Sequence, residues 1–144
     1  MEKGSVKLAM AVNNEGFFQP KHFGDADKYL IYEWKDNELV YSHEITNPFK
    51  YADEKQKHGD RQKGVSVSGL LRDNSVKILV SKQFGKNVQI VNRYFIPVII
   101  TVETPDESKF LLKKHMKWIL EELNSTAESY KLFVLKDGTI KTII

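Results

Sequence analysis

Four histidines, at positions 22, 43, 58 and 115, are the side chains of this 144-residue chain best suited to metal or proton chemistry, because it contains no cysteine. A disulfide framework, a thiolate zinc site, a cysteine-ligated iron–sulfur cluster and a thiol nucleophile are all excluded. Any metal must be held by histidine, carboxylate or backbone oxygen. His22 has the most unusual setting, Gln19-Pro20-Lys21-His22-Phe23-Gly24-Asp25-Ala26. This is a proline- and glycine-shaped loop after the first predicted strand, where α/β proteins commonly place ligand sites. Phe23 can anchor such a loop while His22 points outward. The competing reading is a histidine that only hydrogen-bonds a neighbouring carbonyl.

His58, in His58-Gly59-Asp60, can approach the same rim. Two histidines separated by a long charged loop are nevertheless no signature of the His-Glu-x-x-His kind, and a solvated loop histidine is the alternative. His43 alternates with Leu39, Tyr41 and Ile45 and reads as packed or edge-bonded, whereas His115, between Lys114 and Met116, reads as a surface or boundary position. A second candidate is Phe84-Gly85-Lys86-Asn87 at a strand-to-helix turn, where backbone N–H groups and Lys86 can receive an anion. Lys82, Lys86 and Arg93 add positive potential there or simply form a solvated helix face.

The commoner catalytic signatures are missing: there is no Gly-x-Ser-x-Gly, no phosphate-binding P-loop and no Gly-x-Gly-x-x-Gly. A two-metal nuclease wants an acid in the middle of its first strand, and residues 5–12 offer Lys7 and no carboxylate.

The elements that must position these residues follow from the patterning. Residues 5–12 form an apolar run that stops at Asn13-Asn14-Glu15-Gly16 and predict a buried first strand. Residues 28–35 and 38–45 alternate around Asp36-Asn37, which predicts an antiparallel hairpin. Residues 47–64 are charged, with almost no apolar residue after Tyr51, and predict a mobile surface loop. Asp60 is placed to cap a helix over about 61–71, with Val67, Leu70 and Leu71 inward. Residues 76–80 and 97–102 are short β-branched runs that suit strands buried on both faces, with a short helix predicted over 85–94. Thr104-Pro105-Asp106-Glu107 starts a helix whose apolar stripe is Leu112, Met116, Ile119, Leu120 and Leu123. Residues 130–135 and 139–144, joined through Asp137-Gly138, predict a C-terminal hairpin that adds to a sheet edge or to a neighbouring subunit.

This order predicts an α/β domain with a mixed sheet. Its 22 Lys and Arg against 19 Asp and Glu give a net charge of +3, short of the basic stripe of a dedicated nucleic-acid binder. The N-terminal residues lack an apolar signal core and no apolar run is long enough to span a bilayer, so the expectation is a cytoplasmic protein with neither nucleic acid nor membrane as partner.

The strand Val6-Lys7-Leu8-Ala9-Met10-Ala11-Val12, then His22-Phe23-Gly24-Asp25-Ala26 and Lys28-Tyr29-Leu30-Ile31-Tyr32-Glu33, closely resembles the dinitrogenase iron–molybdenum cofactor biosynthesis family of the NifX, NafY and NifB C-terminal type. Agreement continues at His58-Gly59-Asp60, over residues 64–71 and 76–80, and roughly to Leu123. The resemblance implies a ribonuclease-H-like three-layer fold with a mixed five-stranded sheet. It further implies non-catalytic binding or carriage of an iron–sulfur or iron–molybdenum cluster or metal, with His22 holding the cargo. A neutral imidazole suits iron, and a single open ligand lets a carrier release what it holds. The expected binding residues are therefore His22, Phe23, Gly24, Gly85 and Lys86, with His22 and His58 as metal ligands. Expected partners are the cluster, its donor or acceptor protein, and a second copy through the C-terminal hairpin.

Two features depart from the family pattern: Gly85-Lys86-Asn87-Val88 stands where a glycine-rich turn is common, and the hairpin is extra. The expected division is a family domain over residues 1–124 and a hairpin extension over 125–144. The rival function is a protein-interaction module of the same fold that has lost its cargo.

Overall fold

Alternation of apolar and polar side chains on either side of Asp36-Asn37 folds residues 28–46 into the expected antiparallel hairpin, with β2 at Lys28–Lys35 and β3 at Glu38–Thr46. Asp36 and Asn37 take φ values of 53° and 62°, the left-handed pair that a two-residue turn needs. The structure is a computed structural model that describes residues 5–49, 61–85, 88–125, 128–136 and 139–143.

Strand β1, Val6–Val12, lies antiparallel to β2 on one side and parallel to β4, Val76–Ser81, on the other. Parallel pairing continues through β5, Ile96–Ile100, to β6, Leu132–Lys136, and β7, Thr139–Ile143, closes the order β3-β2-β1-β4-β5-β6-β7. The sheet thus has seven strands, which corrects the expected count of five, because the C-terminal hairpin continues the sheet. Val98↔Phe133 through Ile100↔Leu135 join β5 to β6 without a break. The cause is apolar: Phe133 and Leu135 are buried against the same core as β5, and leaving β5 as an edge would expose its unpaired backbone and that core together. Of the two placements open to the hairpin, the sheet edge is the one observed. Pro97 is accommodated as the second residue of its strand.

Strand β1 has neighbours on both sides and helices over both faces, so residues 8–12 are buried although every second one points the opposite way. Leu8, Met10 and Val12 face α3, Pro105–Leu123, whereas Ala9 and Ala11 face α1, Arg61–Asp73. Helix α1 presents Val67 and Leu71 to that core with Leu70 half-buried, and Asp60, its expected cap, lies outside the described residues, as does most of the charged loop. Where a helix over 85–94 is expected, α2 is a single turn, Val88–Val91. Gly85, at φ 67°, bars regular helix at the start, and the N–H groups of Tyr94 and Phe95 both close on the Val91 carbonyl at 3.0 Å, turning the chain into β5.

Helix α3 begins as its sequence dictates. The Thr104 hydroxyl accepts from the Glu107 N–H at 3.2 Å, and the Glu107 carboxylate accepts from the Thr104 N–H at 3.1 Å. His115 corrects the expected surface or boundary position: it lies three and four residues from Leu112, Leu111 and Ile119, which puts it on the core stripe, and it is 5% exposed. Among the described residues, no helix is long and apolar enough to cross a membrane.

Because Leu135 is fully buried in the α3-side core, Leu135→Ala is expected to cost about 2–5 kcal/mol in urea unfolding. A cost near zero would show that the hairpin contributes nothing to the core.

Candidate functional site

At the C-terminal ends of the parallel strands β1 and β4, the chain leaves β1 toward β2 and leaves β4 toward β5. Diverging connections of this kind open a crevice at the strand ends. Here it is a cavity of about 170 Å³ whose lining includes Asn13, Glu15, Lys21, His22, Asp25 and Asp27.

The wall is built from local backbone logic. Asn13 Oδ1 accepts from the N–H groups of Glu15 at 3.0 Å and Phe17 at 2.9 Å, an Asx turn that ends β1. The chain is then pinned on both sides, by Phe18 N–H to the Glu103 carbonyl at 2.9 Å and by Asp27 N–H to the Val12 carbonyl at 3.1 Å. Beyond Pro20, the backbone of His22 bridges to Gln83 in parallel sense, so the histidine loop rests on the chain just past β4.

Phe23 sets where His22 goes. Its ring is 3% exposed, stacks on Phe84 at 5.4 Å between centroids and lies 4.9 Å from Tyr29. Ala9 and Ala11 belong to the same core cluster. Burial of one such ring is worth about 1.5–3 kcal/mol, and each aromatic pair adds about 0.5–1.5 kcal/mol. With Phe23 committed inward at the start of a single 3-10 turn, Phe23–Asp25, the preceding His22 is left exposed on the rim. Phe23 therefore serves the site as an anchor.

The turn's carbonyls are collected by Asn47, the first residue of the charged segment 47–64. Asn47 is 5% exposed, and its Nδ2 donates to the carbonyls of Gly24 at 3.0 Å and Ala26 at 2.9 Å. The Tyr29 hydroxyl donates to the Phe23 carbonyl at 2.9 Å and itself accepts from Asn47 Nδ2 at 3.3 Å. Burial, reinforced by the negative charge of Asp25, pushes the Tyr29 hydroxyl pKa far up, so it stays a donor. The one signal for Asn47 in the sequence is an Asx-type residue directly after a strand and before Pro48.

His22 and Gly85, chosen from separate motifs, meet. A β-carbon on Gly85 would stand 2.7 Å from His22 Cε1 and Nδ1, and the backbone there has φ 67°. A side chain at position 85 would thus be strained and would collide with the imidazole. Gly24 is different: a β-carbon there would meet nothing within 4 Å, and its contribution is its carbonyl. His58 and Lys86 lie outside the described residues. His43 is exposed on β3 with Nδ1 2.8 Å from Ser42 Oγ, distant in the sheet order from the loop carried by β1 and β4. Among the described residues, no three His, Asp or Glu side chains converge as a metal cage.

The sequence model of the dinitrogenase iron-molybdenum cofactor family matches residues 4–109, well over half of the chain. The chain belongs to this family. The matched span contains His22, Phe23, Gly24 and Gly85 and stops in the second turn of α3, so β6 and β7 lie beyond it. Membership connects the protein with biosynthesis or binding of the iron–molybdenum cofactor. No curated protein and no solved structure matches the chain.

Two outcomes follow from the wall. Asn47→Ala strands two carbonyls and is expected to destabilise the fold by about 1–3 kcal/mol in urea unfolding. The raised Tyr29 pKa favours the protonated form in the folded state; its stabilisation is complete below the ordinary tyrosine value of about 10 and is lost as pH climbs above it. Unfolding free energy measured upward from pH 9 should fall more steeply for wild type than for Tyr29→Phe.

Proposed function

We propose that this protein is a non-catalytic carrier of an iron–sulfur or iron–molybdenum cluster precursor, or of a metal ion released from one, with His22 as its point of attachment. The observation that carries this reading is the exposed imidazole on the crevice rim, backed by Gly85 and held by a buried neighbour. The Nδ1 edge of the ring lies against Gly85, which leaves Nε2 as the nitrogen to meet cargo. Without cysteine the chain offers no thiolates, and without a converging set of acids and histidines among the described residues it offers no cage. Such a donor set suits one-point, reversible attachment of an object that keeps its other ligands. His58 is the second ligand in this proposal, and Lys86 stands beside Gly85 in sequence to offset negative charge on the cargo.

The architecture agrees with a ribonuclease-H-like reading in its order β3-β2-β1-β4-β5, with α1 and α3 on opposite faces. Strand β1 carries Lys7 and no carboxylate, which supports binding over phosphodiester cleavage.

Anaerobic titration of the full chain with iron–molybdenum cofactor, and separately with a [4Fe–4S] cluster, tests the proposal. Wild type should bind one equivalent of at least one cargo, His22→Ala should bind it at least about tenfold more weakly, and Gly85→Ala should fall between them. Equal binding by wild type and His22→Ala, or binding by neither, overturns it.

A further inference from the structure

Strand β4 is an apolar run, Val76-Lys77-Ile78-Leu79-Val80, that ends on a serine. Ser81 is 2% exposed although it belongs to the lining of the His22 crevice. By alternation it shares the α1 side of the sheet with Leu79, the side whose core holds Phe23 and Phe84. A buried hydroxyl needs partners, and both lie two residues along the chain. Ser81 Oγ donates to the Gln83 carbonyl at 3.0 Å and accepts from the Gln83 N–H at 3.4 Å. Serine hydroxyls close local turns in this way, by bonding backbone groups just ahead of them. With its one proton given to Gln83, Ser81 serves the loop beside it.

The turn so closed is the surface on which the histidine loop lies, residue against residue. Gln83 pairs through its backbone with His22, and Phe84 stacks on Phe23 at 5.4 Å. Gly85, at φ 67°, backs the imidazole, where a β-carbon would stand 2.7 Å from Nδ1. Lys82 is engaged elsewhere, its Nζ 2.9 Å from Glu103 Oε2. Three successive contacts to His22 and Phe23 therefore start from a backbone whose course after β4 is set by the Ser81 hydroxyl. Phe84 keeps its place through its own burial, whereas Gln83 is exposed. Removing the hydroxyl hands the Gln83 backbone to water and loosens the bridge to His22 while the aromatic stack and the strand remain.

We propose that Ser81 is a positioning residue for His22, acting through Gln83 and Gly85 to fix the imidazole at the crevice rim. Asn47 and Tyr29 grip the histidine loop from the β2–β3 side, and Ser81 grips it from the β4 side. The part of this proposal that concerns cargo rests on the attachment reading above; the part that concerns the orientation of the ring does not.

Nitrogen-15 NMR of the imidazoles in the cargo-free full chain, at about pH 8 where an ordinary histidine is neutral, tests the orientation directly. The signals lost in His22→Gln assign the ring. Ser81→Ala should displace the His22 ring signals and leave those of His43, on the outer strand β3, in place. Ser81→Thr, which keeps the hydroxyl, should restore them. Iron–molybdenum cofactor or a [4Fe–4S] cluster, whichever wild type binds, should bind Ser81→Ala at least about tenfold more weakly and Ser81→Thr nearly as wild type. A turn that serves stability alone would lower the urea midpoint and move neither readout. The proposal is overturned by wild-type His22 signals in Ser81→Ala, or by signals of a folded Ser81→Thr that follow Ser81→Ala. Equal affinity of Ser81→Ala and wild type for a cargo that wild type binds overturns it too. Absence of binding by wild type overturns the attachment reading alone, and the ring signals then decide this one.

Discussion

Burying the Phe23 ring between Tyr29 and Phe84, in the core cluster that also holds Ala9 and Ala11, dictates where the backbone on either side of it must run. The residue before it is forced to the rim, and the turn after it presents carbonyls inward that need donors. Asn47 and Tyr29 meet that need from β3's end and from β2. One apolar contact thus recruits two strands to the task of orienting a single exposed imidazole. Gly85 completes the arrangement by having no side chain, so the ring can lie against backbone.

A consequence is a division of labour inside the short segment His22-Phe23-Gly24. The histidine is available because the phenylalanine is not, and the glycine contributes an acceptor to the Asn47 amide. Reversing the polarity of that amide would be worse than removing it, since a carboxylate at position 47 would face the carbonyls of Gly24 and Ala26 with lone pairs of its own. A neutral side chain with two donors on one nitrogen meets this geometry.

Local chemistry was legible in the sequence wherever it acts through neighbours in the chain. Asp36-Asn37 encodes its own turn, Thr104 through Glu107 encode their own cap, and the β-branched runs at 76–80 and 97–102 announce buried strands. Long-range packing was not legible. Asn47 looks like the first residue of a charged loop until β2 and the 3-10 turn are beside it. His115 reads as a surface or boundary position between Lys114 and Met116, yet helical spacing relative to Leu111, Leu112 and Ile119 carries it inward. The hairpin at the C-terminus was visible as a hairpin, but only the exposed flank of β5 decides that it joins the sheet. For the site, His22 and Gly85 were both chosen from sequence, while their mutual contact depends on a bridge between His22 and Gln83 that no spacing reveals.

Strand β1 lies inside the sheet, third of its seven strands, and its parallel partner β4 comes late: Leu8 aligns with Ile78, a separation of 70 residues. Closing so large a loop before any ladder forms is an entropic barrier, and topologies dominated by such pairings fold on the slow side, in about milliseconds to seconds. The β1–β2–β3 antiparallel portion can assemble early from near neighbours, but the crevice needs the end of β4 as well. The imidazole therefore gains its Gly85 backing only with the long-range parallel pairing, so the competence of the site reports on completion of the central sheet.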